Sequence, residues 1–426
     1  MRNILVVAYQ LHYSLGSEYA TAWNYVKNMA QNNSVIVLYG TSGGHHEIGN
    51  TVEMEEYLSA NPVPGLRAIA VQPSFKSHNY DYSIWGISMF YREYRNWHRD
   101  VLNVVKDIVS KEHIDIIHYH GPLGFREPGF LYNMKIPYIW GPVGGFDGIK
   151  LPLLSSTQTA KSFITQFYKV IANKIQQRTS KRVRYAIKNS DVVIGATGEY
   201  LKAIERIAGE KHHSKLVYMP ESYVTNFHPL NYEKFNNLNT IQFLWASRVD
   251  SQKGLILFLK ALRKLPNNLP IHLNVAHTGP LEESSKEWAR QNKIDHYISW
   301  LGKVDKSKLN HLYENSHVHV LTSLVDANTV VMWESMSYGL PTLALDHCGM
   351  HDVITPTSGF LIPVTNVEKI TNDIAKSIMD LVNNPTILKS MAEEVIVRRN
   401  NYTWEAHKKT LEDIYNIAEN NFKDRQ

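Results

Sequence analysis

Short, continuously apolar segments recur along the chain, and their spacing constrains the fold more than any other feature. The first segment, residues 3–9, precedes a stretch of helical periodicity over 20–29 and a second apolar segment over 34–38. Continuous rather than alternating apolar residues are typical of strands that are covered on both faces. The repetition of strand, loop and helix therefore predicts an α/β protein with doubly wound, Rossmann-like sheets.

The apolar segments fall into two series, which predict two domains. The first series continues at 114–120, 136–140 and 191–194, and the second comprises 241–245, 271–275, 297–300, 317–321, 341–345 and 359–362. Residues 225–240 are rich in Asn and lack clear periodicity, as expected of a hinge. We therefore expect an amino-terminal domain over 1–225 and a carboxyl-terminal domain over 226–401. Facing across a cleft, they would bind ligands at the carboxyl ends of their strands.

Composition excludes several classes of protein. The 45 Lys and Arg residues against 40 Asp and Glu give a net charge of +5, too small over 426 residues to indicate a nucleic-acid-binding protein. Cys348 is the only cysteine, which excludes an intrachain disulfide and favours a reducing compartment. The apolar run over 4–9 is too short for a secretory signal, and no segment approaches the ~18–20 apolar residues of a spanning helix. We expect a cytoplasmic protein, or one on a membrane surface.

Two cations follow the first strand of the second domain. Arg248 and Lys253 lie in the loop between a predicted strand and a predicted helix. Two cations and a helix amino terminus can converge on one anion, and a diphosphate fits this arrangement. Two solvated surface cations remain an equally good interpretation of the spacing.

Two acids flank the start of a later helix in the same domain. Asp326 follows the strand over 317–321, and Glu334 lies eight residues further on. Such a pair favours a hydroxyl-rich ligand, which donates hydrogen bonds to the acids and accepts them from backbone amides. A helix cap at Asp326 with a solvated Glu334 is the alternative.

Histidines mark one strand in each domain. His118 and His120 share a face of their strand, and His120 lies at its carboxyl end, where the cleft is expected. We therefore predict a functional role for His120 and a packing role for His118. His317 and His319 have the same spacing, but no third ligand accompanies them, so we interpret both as structural and predict no metal site.

These motifs, in this order, resemble those of the GT-B glycosyltransferases, specifically the large retaining family 4, over nearly the whole chain. Asp326-x7-Glu334 followed by Ser335-Met-Ser-Tyr-Gly-Leu-Pro341 is similar to the family's Glu-x7-Glu signature, and Arg248-x4-Lys253-Gly254 is similar to its diphosphate loop. Residues 115–120 and 16–18 match its Asp-x-x-His-x-His strand and its first glycine-bearing loop. Segments 140–145 and 345–349 look like those of a subgroup associated with bacterial surface polysaccharide synthesis.

The resemblance implies transfer of a hexosyl or N-acetylhexosaminyl group from a UDP- or GDP-linked sugar, with retention of configuration and without an essential metal or other cofactor. Arg248 and Lys253 would stabilise the leaving diphosphate, Asp326 would hold the sugar, and His120 would lie near it. Glu334 would hold the ribose hydroxyls. The other donor-binding positions that the resemblance implies are Gly16, Gly279, Asn328, Thr329 and Val330. A helix over 402–426 would cross back to the amino-terminal domain.

Three departures from the family pattern leave the donor sugar open. The first acid of the signature is Asp326 rather than the commoner Glu, Asn328-Thr329 replaces Phe-Gly, and the turn over 275–279 has fewer glycines.

A basic segment suggests a membrane contact. Residues 148–190 hold nine cations and no acid, and apolar residues recur at helical spacing over 163–175. Such a helix suits an anionic membrane surface, and the resemblance implies a lipid-linked or oligosaccharide acceptor on the inner face of the cell membrane. The cations that we expect to contact the membrane are Lys161, Lys169, Lys174, Arg178, Lys181 and Arg182. Aromatic residues interleaved with arginines over 80–99 also suit a lipid interface, although core packing explains them better.

Two further functions remain compatible with the sequence. One is a catalytically silent protein that binds sugar nucleotides, which the altered signature residues would favour. The other is a nucleotide-sugar epimerase of GT-B architecture, which would not explain the loop of Arg248 and Lys253. The sequence disfavours a nicotinamide-dependent dehydrogenase, because no strand leads into Gly-x-Gly-x-x-Gly.

Overall fold

A computed structural model describes residues 1–16, 18–43, 49–74, 84–121, 124–146 and 148–426, with the backbone alone over 84–88. Within these ranges the chain divides into two compact units. Unit 1 comprises Met1–Phe146, Asn173–Glu221 and His407–Gln426, and unit 2 comprises Asp147–Ala172 and Ser222–Ala406.

Unit 1 is built on a seven-stranded parallel sheet in the order β3-β2-β1-β4-β5-β6-β7. Its strands are β1 (Asn3–Ala8), β2 (Ser34–Tyr39), β3 (Leu66–Ala70), β4 (Ile116–Gly121), β5 (Tyr138–Val143), β6 (Val192–Gly195) and β7 (Leu216–Tyr218). Its helices are α1 (Glu18–Met29), α2 (Val52–Ala60), α3 (Ile84–Lys111), α5 (Lys181–Asn189), α6 (Gly198–Ala208) and most of α14 (Trp404–Arg425). Helix α4 (Ala160–Thr179) includes residues of both units.

Unit 2 is built on a six-stranded parallel sheet in the order β10-β9-β8-β11-β12-β13. Its strands are β8 (Ile241–Trp245), β9 (Ile271–Val275), β10 (Ile298–Trp300), β11 (Val318–Leu321), β12 (Thr342–Asp346) and β13 (Gly359–Pro363). Its helices are α7 (Leu255–Leu262), α8 (Glu282–Gln291), α9 (Lys306–Asn315), α10 (Val330–Ser337), α11 (Cys348–Val353), α12 (Val367–Asn383) and α13 (Ile387–Arg398).

The apolar segments become the central strands because both of their faces are covered. Residues 4–7 of β1 are fully buried, and Leu5 pairs in parallel with Ile36 of β2 and Ile117 of β4. In unit 2 the apolar helix α7 is buried nearly all round and packs against α12. The predicted α/β architecture with two doubly wound, Rossmann-like sheets is confirmed.

The boundary between the units differs from the expected division at residue 225. Ile149, Leu153 and Leu154 are at most 3% exposed and belong to the hydrophobic core of unit 2, although they follow β5 in the chain. Burial of these side chains groups residues 148–172 with unit 2.

The carboxyl-terminal helix packs into unit 1. Tyr415 of α14 is buried and hydrogen bonded to Tyr25 of α1, and Arg2 pairs with Glu419 at 2.7 Å. The amino-terminal strand of unit 1 is thus held by the last helix of the chain.

Each sheet has a switch point, at which successive strands add to opposite sides. In unit 1 it lies between β1 and β4, and in unit 2 between β8 and β11. Loops at the carboxyl ends of such strand pairs diverge and leave room for a ligand. In unit 2 these are the loops over 246–254 and 322–329.

Candidate active site

Two loops of unit 2 are hydrogen bonded to each other at its switch point. The hydroxyl of Thr322 donates to the carbonyl of Gly254 at 2.9 Å, and the Leu324 amide donates to the carbonyl of Gln252 at 2.7 Å. Gly254 has φ +71°, and a Cβ there would lie 2.4 Å from the carbonyl oxygen of Thr322. Glycine is therefore required where the loop passes from β8 into α7.

Lys253 and Asp326, 73 residues apart in the chain, form an ion pair at this point. The Lys253 Nζ lies 2.9 Å and 2.7 Å from the two carboxylate oxygens of Asp326. Their side chains are 23% and 20% exposed, so a ligand can reach both groups. Asp250 accepts from the amides of Gln252 and Lys253 at 2.9 Å and 3.0 Å, and this turn directs Lys253.

Arg248 lies on the same loop as Lys253. Its Nε is 3.7 Å from a carboxylate oxygen of Asp250, and its side chain is 57% exposed. The guanidinium is therefore only loosely paired and can turn toward an anion. Both predicted diphosphate-binding cations lie on the switch-point loop, but the structure pairs only Lys253 with the acid of the second motif.

Glu334 lies on α10 and is not a solvated acid. The hydroxyl of Tyr313 donates to its Oε2 at 3.1 Å, and burial raises the pKa of Glu334 above its usual value. The other carboxylate oxygen of Glu334 can accept hydrogen bonds from the hydroxyls of a ligand. The role of Glu334 in holding the ribose stays a prediction.

The loop before α10 is packed tightly against the loop after β12. Asn328 and Thr329 are 6% and 8% exposed, whereas the side chain of Val330 is 38% exposed. The Gly349 amide donates to the carbonyl of Ala327 at 2.8 Å, and a Cβ at Gly349 would lie 2.2 Å from the Asn328 Oδ1. The amino end of α10 is therefore held rigidly beside Asp326.

The two other glycines of the predicted site differ. A Cβ at Gly279 would lie 2.1 Å from the carbonyl oxygen of Val249, so this glycine lets the β9–α8 loop contact the β8–α7 loop. No atom of the described residues lies within 4 Å of a Cβ built at Gly16 of unit 1. Ser17, its partner in the glycine-bearing motif, lies outside the described residues.

The histidines of β4 are both buried in unit 1. The Nε2 of His118 donates to the carbonyl of Gly141 at 2.7 Å and its Nδ1 accepts from Tyr25, while burial lowers its pKa to about 4. His120 is 5% exposed and packs on Tyr25, and burial lowers its pKa well below the usual value. Among the described residues, no atom forms a hydrogen bond with the Nε2 of His120. His120 is thus a neutral histidine with one free ring nitrogen.

His317, which immediately precedes β11, and His319, which lies on it, are both buried in unit 2. His317 accepts from the Gln242 amide at 2.9 Å and donates to the carbonyl of Lys234 at 3.0 Å. Burial lowers the pKa of His319 to about 3.

The structure also reveals two serines that the sequence motifs did not single out. Ser247 follows β8 and Ser323 follows β11, and they are 4% and 0% exposed. Within the described part of the chain neither hydroxyl has a hydrogen-bond partner. Buried hydroxyls without partners are rare in proteins. Both follow a switch-point strand, but serine is ordinary in loops, so only the packing identifies them as further candidate site residues.

The predicted membrane-contacting cations differ in exposure and in their partners. Lys161, Lys174, Arg178 and Lys181 are exposed, and Lys169 is half-buried. Arg182 instead donates to the buried Glu127 at 2.6 Å. Its charge is used within unit 1, in contrast to the expectation of a free surface cation.

The aromatic residues over 80–99 are largely core residues where they are described. Tyr94 and Trp97 are at most 2% exposed, and the Trp97 indole donates to the carbonyl of Val71 at 2.8 Å. Tyr80 and Tyr82 lie outside the described residues, and for Trp85 only the backbone is described. No described helix is long and apolar enough to span a bilayer.

Comparison with known families and structures identifies the fold. Residues 231–395 match the family model of glycosyl transferases group 1, a segment that contains both switch-point loops of unit 2. The catalytic domain of starch synthase IV from Arabidopsis thaliana, solved with ADP and acarbose, superposes with a TM-score of 0.64 at 13% identity, covering 98% of this chain and 99% of that one. The chain therefore has the GT-B fold, and its residues 231–395 are similar to the glycosyl transferases group 1 family.

Curated relatives match part of the chain. An uncharacterized glycosyltransferase of Methanocaldococcus jannaschii is 23% identical over 176 residues, which are 41% of this chain and 44% of the relative. Protein CapJ of Staphylococcus aureus is 24% identical over 188 residues, 40% of this chain and 47% of CapJ. The alignments thus span less than half the length of these relatives.

Proposed function

We propose that the protein is a retaining glycosyltransferase that moves a sugar from a UDP- or GDP-linked donor to a lipid-linked or polysaccharide acceptor in cell-surface glycan synthesis. The observation that carries this proposal is the contact between Lys253 and Asp326. It joins the cationic loop and the acidic motif at a switch point, within a glycosyl transferases group 1 domain.

The chemistry of donor cleavage accounts for the cations. As the bond between sugar and phosphate breaks, negative charge grows on the diphosphate and positive charge on the sugar ring. Lys253 and Arg248, with the amino end of α7, would stabilise the diphosphate where it develops its charge. Because the loop itself supplies these cations, we propose that the reaction requires no metal ion or other cofactor.

The acids would orient the donor. On binding, the diphosphate would take over part of the contact that Lys253 makes with Asp326, and a sugar hydroxyl would donate to the released carboxylate. Glu334 would accept from the ribose, and the backbone at Asn328, Thr329 and Val330 would reach the sugar or phosphates. Within the proposal, Gly279 and, in unit 1, His120 and Gly16 retain the roles that the resemblance implies.

Helix α4 supports a peripheral contact with an anionic membrane. Six of its large apolar side chains are 41% to 64% exposed, namely Phe163, Ile164, Phe167, Tyr168, Ile171 and Ile175, whereas Val170 is buried. Polar Gln166 and Asn173 are at most 6% exposed on the other face. A helix with its apolar stripe in solvent and cations beside it suits the boundary of headgroups and acyl chains. We propose that the exposed cations of this segment face the inner leaflet.

A donor panel tests the proposed activity. Purified protein is incubated with UDP- and GDP-linked hexoses and N-acetylhexosamines, and release of the nucleoside diphosphate is measured with and without EDTA. One preferred donor, with turnover insensitive to EDTA and a retained anomeric configuration in the product by NMR, would support the proposal. Binding without turnover would favour the silent sugar-nucleotide protein, and an epimerised nucleotide sugar would favour the epimerase.

A further inference from the structure

A second charged cluster lies in unit 1, apart from the donor loops. It joins α3, the segment over 124–130 and α5, and we call it the arginine cluster. Its members are Arg95, Arg99, Arg126 and Arg182.

One buried acid organises the cluster. Glu127 is 1% exposed; Arg95 donates to its Oε1 through Nε at 2.8 Å and also through Nη2, and Arg182 donates to its Oε2 at 2.6 Å. A buried carboxylate needs such partners, so Glu127 accounts for the placement of Arg95 and Arg182. It neutralises only one of their two charges.

The other two arginines are held by neutral groups. Arg126 donates to the Oε1 of Gln176 at 2.6 Å and to the hydroxyl of Tyr91 at 3.3 Å. Arg99 donates to the Oδ1 of Asn96 at 2.6 Å. Neutral acceptors fix a guanidinium but leave its charge uncompensated. Among the described residues that these contacts join, the cluster carries four cations against one acid, a net charge of +3, and a structural ion pair does not explain this surplus.

Aromatic rings hold the guanidinium groups in place. Arg126 lies 4.9 Å from the ring centre of Phe125, and Arg182 and Arg99 lie 5.1 Å and 5.8 Å from that of Phe130. Stacked guanidinium groups lose little further entropy when they bind an anion. Arg95 and Arg99 are exposed and Arg126 is half-buried, so a ligand can reach them.

The cluster is attached to the functional edge of the unit 1 sheet. Gly124 pairs with Gly144 in a parallel bridge, and the Phe125 amide donates to the carbonyl of Gly144 at 3.1 Å. This segment continues from β4, whose carboxyl end carries His120, at the sheet edge where open α/β sheets bind ligands.

We propose that the arginine cluster binds the phosphate or diphosphate group of the lipid-linked acceptor. The identity of the ligand rests on the proposed function, whereas the surplus charge does not. Arginine forks match phosphate oxygens in bidentate geometry, and charge-assisted hydrogen bonds of this kind are among the strongest in proteins. The cluster would thus anchor the acceptor through its anionic group.

Calorimetric titration with farnesyl diphosphate tests this site. All proteins carry Lys253→Ala, which disables the proposed diphosphate loop of unit 2. Arg126→Gln is compared with Arg67→Gln, which removes an exposed arginine of the same unit that pairs with Glu112 at 2.7 Å. We expect Arg126→Gln to weaken binding about tenfold or more, the loss of one good charge-assisted contact, while Arg67→Gln leaves it unchanged. Thermal unfolding of both variants checks that they fold equally well.

Other ligands separate the possible sources of the phosphate. Farnesol, which lacks the diphosphate, should not bind. Equal affinity of Arg126→Gln and Arg67→Gln for farnesyl diphosphate would overturn the proposal. The proposal would also be overturned if Arg126→Gln weakened binding to phosphatidylglycerol vesicles but not to farnesyl diphosphate, because the cluster would then bind lipid headgroups. Donor turnover is measured separately in protein that keeps Lys253. If that protein shows no turnover but binding of farnesyl diphosphate still depends on Arg126, the proposed function is overturned and the anion site stands.

Discussion

The contact of Lys253 with Asp326 is the residue-scale feature from which the proposed chemistry can be tested. The Asp326 carboxylate pairs with the cation to which the proposal assigns the diphosphate. In the proposed reaction, this pair would link binding of the phosphates to orientation of the sugar.

Removing the cation should affect catalysis far more than stability. Lys253→Ala should lower kcat by ~10²–10³-fold, as for loss of one group that stabilises developing charge. Because the pair is partly exposed, unfolding free energy should change by only about 1 kcal/mol or less. Steady-state kinetics and urea unfolding measure the two effects. Lys264→Ala, which breaks an ion pair with Glu368 elsewhere in unit 2, is the control and should leave kcat unchanged. Equal kcat in both variants would argue against the role of Lys253.

Asp326→Asn should separate the two functions of the pair. The amide keeps the shape of the side chain but no longer competes for Lys253, so UDP or GDP should bind several-fold more tightly. Transfer should fall at least tenfold, because the amide holds the sugar less well. Titration of the preferred nucleoside diphosphate and the transfer assay measure these changes. A parallel loss of diphosphate affinity would contradict the competition.

At the scale of elements, the polarity of α4 is the reverse of that expected for a surface helix of a globular protein. Its outward face is apolar and its inward face includes Gln166 and Asn173. Asn173 and Gln177 donate to the carbonyls of Gly145 and Phe146, so polar contacts hold this helix against the glycine-rich loop.

Loss of cations from this segment should weaken binding to membranes. A triple variant of Lys161, Lys174 and Arg178 to Gln should bind phosphatidylglycerol vesicles more weakly, and the difference should shrink as salt is raised. Vesicle sedimentation at two salt concentrations measures this. A triple variant of the exposed Lys106, Lys202 and Lys376 is the control of equal charge. Identical binding of the two triple variants would remove the membrane contact from the proposal.

The exposed isoleucines of α4 give an independent test. Ile164 and Ile175 are 64% and 55% exposed. Ile164→Ser with Ile175→Ser should weaken vesicle binding but change the free energy of unfolding by only about 0.5 kcal/mol, as for surface positions. Packed residues would instead cost ~2–5 kcal/mol each when shortened, and urea unfolding distinguishes these outcomes.

At the scale of the whole molecule, buried neutral histidines couple stability to pH. Burial lowers the pKa of His98, His319 and His407 to about 3 and that of His118 to about 4, and it also lowers the pKa of His120 well below its usual value. The unfolded chain takes up these protons near pH 6.5, whereas the folded protein does not. The free energy of unfolding is therefore not reduced by these histidines above about pH 6.5, and it decreases as the pH falls below that value.

We expect the free energy of unfolding to fall steeply from pH 7.5 to pH 5.5. Each histidine contributes up to ~1.4 kcal/mol per pH unit below its unfolded pKa. Glu18, whose pKa desolvation raises to about 7, opposes this trend because the folded state binds its proton first, but it is one group against five. Urea unfolding at pH 7.5, 6.5 and 5.5 measures the effect. Constant or rising stability over this interval would show that the histidines are not neutral and buried as described.

The local patterns of the chain account for much of the fold and for the membership of the site. The continuous apolar segments predicted all six strands of unit 2 and five of the seven strands of unit 1, since full burial on two faces requires apolar residues at every position. The two strands that they missed, β3 and β7, lie at the edges of the unit 1 sheet and are only partly buried. The loop positions of Arg248, Lys253 and Asp326 followed from the same pattern, because each lies just after a strand. The buried hydroxyls of Ser247 and Ser323 could not be distinguished, because serine is ordinary in loops and its lack of a partner is visible only after packing.

By itself, the sequence determined the alternation of strand and helix, the two α/β series and the order of the motifs along the chain. Only the tertiary structure decided that Lys253 meets Asp326, that residues 148–172 pack with unit 2, and that Arg182 pairs with Glu127 instead of facing solvent. The physical reason is the distance along the chain over which each kind of interaction acts. Backbone propensity and apolar periodicity act over a few neighbouring residues, whereas these contacts join segments distant in the chain and depend on strand order and on which side chains the packed core leaves room for.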